Sequence, residues 1–121
     1  MQKVDLYSVQ GAEIKREKSG GLIVGFSSQS ISDGQLIELN SLKENFFLGF
    51  YSCIFYDCDL STLTSERVEG VGVFHSAFGD KELKILSHLS GIRSIKLVDT
   101  SVTAKCISEI MQANGKIKIS A

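Results

Sequence analysis

Ile92-Arg-Ser-Ile95-Lys-Leu97-Val-Asp-Thr100-Ser-Val102-Thr-Ala-Lys-Cys-Ile107-Ser-Glu-Ile110 holds the pattern that the rest of the chain repeats. Ile92, Ile95 and Leu97, spaced three then two, predict a short strand. Thr100 and Val102 turn the chain, and Ile107 and Ile110 share one face of a helix. The unit reads strand, turn, helix.

Earlier copies follow from Leu22 onward. Val24, Leu48, Val71 and Ile95 form one column, and Phe26, Phe50, Val73 and Leu97 the next. Ile31, Phe55, Phe78 and Val102 come five residues later. Leu36, Leu60, Leu83 and Ile107, then Leu39, Leu63, Leu86 and Ile110, complete the set. Every column steps by 24, 23 and 24 residues, and all 20 positions are apolar. In a chain that is 43% hydrophobic, chance gives this once in roughly 10⁷ trials at a fixed register, which favours a true repeat. Asp33, Asp57 and Asp80 recur just before the helical columns, where a carboxylate can cap a helix and suit its positive end. In the fourth copy Ala104 takes that place and Thr103 is the expected cap.

The strand pattern resembles the leucine-rich repeat, L-x-x-L-x-L-x-x-(N/C)-x-L. It runs Ile92-x-x-Ile95-x-Leu97-x-x-Thr100-x-Val102 and Val68-x-x-Val71-x-Val73-x-x-Ser76-x-Phe78. The other copies depart at the first position, where Asn45 and Gly21 stand. Ile31-Ser-Asp33 and Phe78-Gly-Asp80 look like the I-T-D of the cysteine-containing subclass, which also resembles short bacterial repeat proteins. The resemblance implies an α/β fold: a short leucine-rich repeat solenoid with parallel β-strands on its concave side and helices on its convex side. It covers residues 21–121 as four repeats plus a final strand around Ile117-Lys-Ile119, taken at a step of 22. The subclass includes substrate-recruiting subunits of ubiquitin ligases. No F-box-like leader precedes the repeats, so that association is not carried over. Each repeat buries its apolar strip against the next, at about 1.5–3 kcal/mol per large side chain before chain entropy.

Residues 1–20 are the expected N-terminal capping segment. Val4, Leu6 and Ser8 alternate, Gln10-Gly11 can turn, and Ala12 to Lys18 is polar and charged. A strand or loose hairpin and a partly disordered leader are both open readings. The length, 121 residues, is that of one domain. A net charge of −1 points to neither nucleic acid nor an anionic membrane. The absence of an apolar leader and of a run of about 20 apolar residues predicts a cytoplasmic protein without a membrane span. Three cysteines suit reduced thiols.

Side chains alternate along a strand, so the residues between core positions face outward. Ile23, Phe47, Tyr51, Phe74 and Val98 fall there, flanking Gly25, Gly49 and Gly72. Lys96, Lys116 and Lys118 make the C-terminal end basic, and His75 and Asp99 lie at the rim. An apolar trough floored by bare backbone is one reading, and such patches mark interaction sites. Two others compete: residues 1–20 fold over the trough, or the aromatics lie on the glycines within the sheet.

The remaining chemistry is thin. Cys53 holds the small-polar position of the turn. Cys58, after an Asp57 cap, is the most reactive thiol candidate because a helix N-terminus lowers a thiol pKa. Cys106 aligns with Gln35, Asp59 and Glu82, a solvent-facing column. His75 and His88 lack ligands at metal spacing, and no Ser-His-Asp arrangement or phosphate loop can be placed. The expectation is a non-catalytic protein-binding module without cofactor or metal. Its partner-binding residues are Ile23, Phe47, Tyr51, Phe74 and Val98, with His75, Lys96 and Asp99 setting polarity. The alternatives are a homo-oligomeric subunit, joined through the concave face or the C-terminal edge strand, and an immunity-type inhibitor of a toxin.

Overall fold

The computed structural model describes residues 8–121. The alternation at Val4 and Leu6 lies outside that range. Six strands form one open sheet in sequence order: β1 (Ala12–Arg16), β2 (Leu22–Ser27), β3 (Phe46–Tyr51), β4 (Val68–Phe74), β5 (Ser94–Val98) and β6 (Lys118–Ser120). β1 pairs antiparallel with β2, and every later pair is parallel. Three helices, α1 (Asp33–Asn40), α2 (Asp80–Leu86) and α3 (Ala104–Ala113), and a single 3₁₀ turn at Leu60–Thr62 complete the α/β fold among the described residues.

The sheet register sets the sequence columns side by side. Val24 pairs with Leu48, Leu48 with Val71, Val71 with Ile95, and Ile95 with Ile119. Phe26, Phe50, Val73 and Leu97 align likewise. Both columns join Leu36, Leu39, Leu83 and Leu86 in one buried cluster between sheet and helices. Phe26 stacks on Phe50 at 5.6 Å, and Phe50 meets Phe55 edge-on at 5.0 Å. Where the repeat departs at Gly21 and Asn45, the next residues, Leu22 and Phe46, take the buried place and pair with each other. A bulge in β4 then absorbs the shorter repeat: Phe46 pairs with Val68 but Phe47 with Gly70.

Four sequence expectations change. The last strand pairs at a step of 24, so Lys118 sits beside Ser94 and Ser120 beside Lys96, and Lys116 precedes the strand. The second helix is only the 3₁₀ turn. Its segment, Tyr56-Asp-Cys-Asp-Leu-Ser-Thr-Leu-Thr, is rich in residues whose side chains compete for the backbone. Asp59 takes both the N–H and the hydroxyl of Ser61, and Asn40 accepts from the amides of Thr64 and Ser65. Asp33 and Asp80 are not caps: Ser32 caps α1, Gly79 occupies the cap of α2, and Thr103 caps α3 as expected.

The aspartates reach across to the following repeat instead. Asp33 Oδ1 accepts from the Asp59 amide at 2.8 Å. Asp80 accepts from the Thr103 amide at 2.7 Å and its hydroxyl at 2.8 Å. Finally, Cys106 is buried beside Ile110, while Ile107 is only partly covered. Gln35, at the aligned position of α1, is buried too, so this column is not solvent-facing, and the Cys106 thiol points at the Asp80 carbonyl (3.9 Å) rather than at water.

β1 covers one edge of the sheet. Arg16 makes paired bonds of 2.8 and 2.9 Å to Glu44, ahead of β3, and so straddles β2. Buried Gln35 donates to the Gln10 carbonyl and to Gln29, whose amide donates to the Gly11 carbonyl, fixing the turn into β1. At the other end of the strands, a Cβ on Gly91 would fall on the Glu66 carbonyl oxygen. The loop ahead of β5 can approach the start of β4 only because that residue is glycine.

Candidate functional site

The core takes one face of the sheet, so the alternate residues form its outer face. Three rows cross the strands there. Ile23, Phe47, Gly70, Ser94 and Lys118 make the first; Gly25, Gly49, Gly72, Lys96 and Ser120 the second; Ser27, Tyr51, Phe74 and Val98 the third. A hollow of about 850 Å³ runs across them, and Ile23, Phe47, Tyr51, Phe74 and Lys96 line it together. Val98 neighbours Phe74 outside the hollow's lining, and His75 and Asp99 form a rim just past the strand ends.

The floor is not bare backbone. The Tyr51 ring lies over Gly49, where an added Cβ would stand 3.0 Å from Cε2. Phe74 lies over Gly72 (2.7 Å) and Phe47 over Gly70 (2.8 Å). At Gly49, Gly70 and Gly72 aromatic rings occupy the space a side chain would need, the within-sheet arrangement, whereas at Gly25 the nearest ring atom is 4.0 Å away. Tyr51 and Phe74 also stack on each other, with centroids 4.8 Å apart and planes at 5°. Such a pair is worth about 0.5–1.5 kcal/mol beyond its burial. Even so, Phe47 and Tyr51 keep 42% and 46% of their surface in water. Residues 8–20 do not cover them: Glu13 and Lys15 sit at the β1 edge of the same face, bonded to each other at 2.9 Å.

A feature invisible in the columns closes each strand. Ser28, Ser52, His75 and Asp99, at equivalent positions, all have φ between 52 and 55°. Non-glycine residues rarely adopt this left-handed conformation. Here each of the first three amides donates to the next strand: Ser28 to Tyr51, Ser52 to Phe74, His75 to Val98. The same turn sets Ser52, His75 and Asp99, which share one sequence column, side by side, where no Ser-His-Asp arrangement was expected. His75 Nδ1 lies 3.0 Å from Asp99 Oδ2, with both side chains mostly in water. Among the described residues the Ser52 hydroxyl bonds to neither.

The cysteines sort by burial. Cys53 is in the core, its thiol directed at the Phe26 and Tyr51 carbonyls and its amide donating to Ser76 Oγ. Cys58 lies ahead of the 3₁₀ turn with no helix N-terminus beneath it. Burial, then the charges of Asp33, Asp59, Asp57 and Glu82, push its thiol up to about 11, the reverse of activation. Burial also raises Cys53 and Cys106. Among the described residues no three of His, Cys, Asp or Glu cluster as metal ligands, and no helix is long and apolar enough to cross a membrane.

Sequence reasoning missed Met111, which lines the hollow, and placed Lys118 at this face one row away from its true neighbour Ser94. No protein-family model, curated protein or solved structure matches the chain.

Proposed function

We propose that the chain is a short leucine-rich repeat solenoid whose outer, concave sheet face grips a protein partner without catalysis, in the cytoplasm. The observation that carries this reading is the row of half-exposed aromatics over glycines. Phe47, Tyr51 and Phe74 each lie over a glycine, and Tyr51 and Phe74 stack on each other, yet all three keep part of their surface in water. Aromatics carry most interface energy. A contiguous exposed apolar surface on an otherwise well-packed domain marks an interaction site. Ile23 and Val98 extend the apolar area, while Lys96, His75 and Asp99 give it polarity at one side. Affinity capture with the wild type beside Tyr51→Ala/Phe74→Ala tests it: the captured protein disappears with the double variant while the fold persists.

Self-assembly is the second reading, and one observation favours it. β6 pairs with β5 over Lys118–Ser120 and, among the described residues, has no strand on its other side. A second copy could extend that edge. Sedimentation over a hundredfold concentration range decides: a single monomer species throughout excludes it.

A further inference from the structure

The hollow on the outer face has a charge pattern as well as an apolar one. No aspartate or glutamate lines it, but Lys96 and Lys118 do. They sit on adjacent strands, offset by two residues, since Ser94 pairs with Lys118 and Lys96 with Ser120. Diagonal neighbours of this kind are about 7–8 Å apart at the backbone, within reach of one shared carboxylate. Nearby, Lys15 is paired with Glu13 at 2.9 Å, and Asp99 shares a hydrogen bond with His75 at 3.0 Å. Among the described residues neither Lys96 nor Lys118 has an acidic partner. The chain as a whole carries −1, so this excess of positive charge is local.

We infer, resting on the binding reading above, that the occupant of this face is a segment of a different protein that presents an apolar side chain to Phe47 and Tyr51 and a carboxylate to Lys96 and Lys118. The strand spacing fixes how far apart these features are. β3, which carries the aromatics, lies two strands from β5 and three from β6, or about 10–14 Å at ~4.8 Å per strand. An extended chain covers about 3.3 Å per residue, so the apolar residue and the acid are separated by about three or four positions. Among the described residues, the segment of a second copy with the most exposed apolar residue beside an acid is Tyr56 to Asp59, with Tyr56 79% exposed. Its acids are already engaged, however. Asp59 accepts from Ser61, Asp57 from Ser30, and the segment is wound into a turn. A foreign segment therefore fits better.

Panning a random dodecapeptide library on the immobilised full chain tests this. Wild type, Lys96→Gln/Lys118→Gln and Tyr51→Ala/Phe74→Ala are compared after circular dichroism shows all three folded. The wild type should enrich aromatic or aliphatic residues three to four positions from Asp or Glu. A synthetic peptide from that pool should bind about three- to tenfold more weakly when its acid becomes glutamine or the lysines do, as for two exposed ion pairs, and weaken with salt. Enriched apolar peptides without acid bias, binding the lysine variant equally but not the aromatic variant, overturn this inference and leave the binding face standing. A pool that binds the aromatic variant as well as the wild type, or no enrichment, removes both. Concentration-dependent sedimentation abolished by Tyr56→Ala would make the occupant a second copy and overturn the inference as well.

Discussion

Replacing Gly72 with alanine should change sign with its neighbour. The new Cβ would stand 2.7 Å from Phe74 Cε2 and 3.2 Å from Cζ, so the ring must swing away. Moving it off its preferred rotamer costs about 0.5–1.5 kcal/mol. Leaving the Tyr51 stack forfeits a further ~0.5–1.5 kcal/mol. Against this, alanine in a strand interior gains about 0.5–1 kcal/mol over glycine through the unfolded chain. Taking midpoints, Gly72→Ala destabilises the wild type by about 1.2 kcal/mol. In a Phe74→Ala background nothing blocks the Cβ, and the same change stabilises by ~0.7 kcal/mol. The coupling is thus about 2 kcal/mol, readable as opposite shifts of the urea midpoint by a few tenths of a molar or more with unchanged slope. Destabilisation of the same size in both backgrounds would show that the ring does not occupy the glycine's space, and the account of the outer face would fail.

Two further outcomes follow from the electrostatics. The Thr103 amide, then its hydroxyl, holds the Asp80 carboxyl below its ordinary 3.8. A depressed folded value means the stabilisation is full above the unfolded value and is lost as pH falls through the folded one. Urea midpoints of wild type and Asp80→Asn should therefore differ at pH 7 and converge as pH drops well below 3.8; a constant gap would deny the link. Cys58, pushed up to about 11, should react with a disulfide reagent at neutral pH about tenfold more slowly than a model thiol, lower thiolate fraction outweighing greater nucleophilicity. A faster reaction in the Cys53→Ala/Cys106→Ala background would restore it as a reactive site.

What could be read from the sequence was what repeats. Val24, Leu48, Val71 and Ile95 pair in the register their spacing gives because each must cover its neighbour. The outward set of Ile23, Phe47, Tyr51 and Phe74 followed from alternation alone. What could not be read depends on single departures from the period. β6 registers at 24 because Ile119, not Ile117, pairs with Ile95. Ile117 is buried outside the strand, so apolar identity could not distinguish the two residues. The aspartate column was legible as polar but not as a bond to the next repeat, since the two partners belong to different columns, Asp59 to that of Gln35 and Cys106 and Thr103 to that of the caps Ser32 and Gly79. The left-handed turns at Ser28, Ser52, His75 and Asp99 carry no glycine to announce them.

The binding claim meets its most direct test in capture from the native host with three baits. Wild type is compared with Tyr51→Ala/Phe74→Ala and with a control altered at exposed apolar residues off the outer face, Ile37→Ala/Tyr56→Ala. One captured protein should be retained by wild type and control and lost from the aromatic variant. The same protein retained by the aromatic variant and lost from the control would contradict the assignment of the binding face.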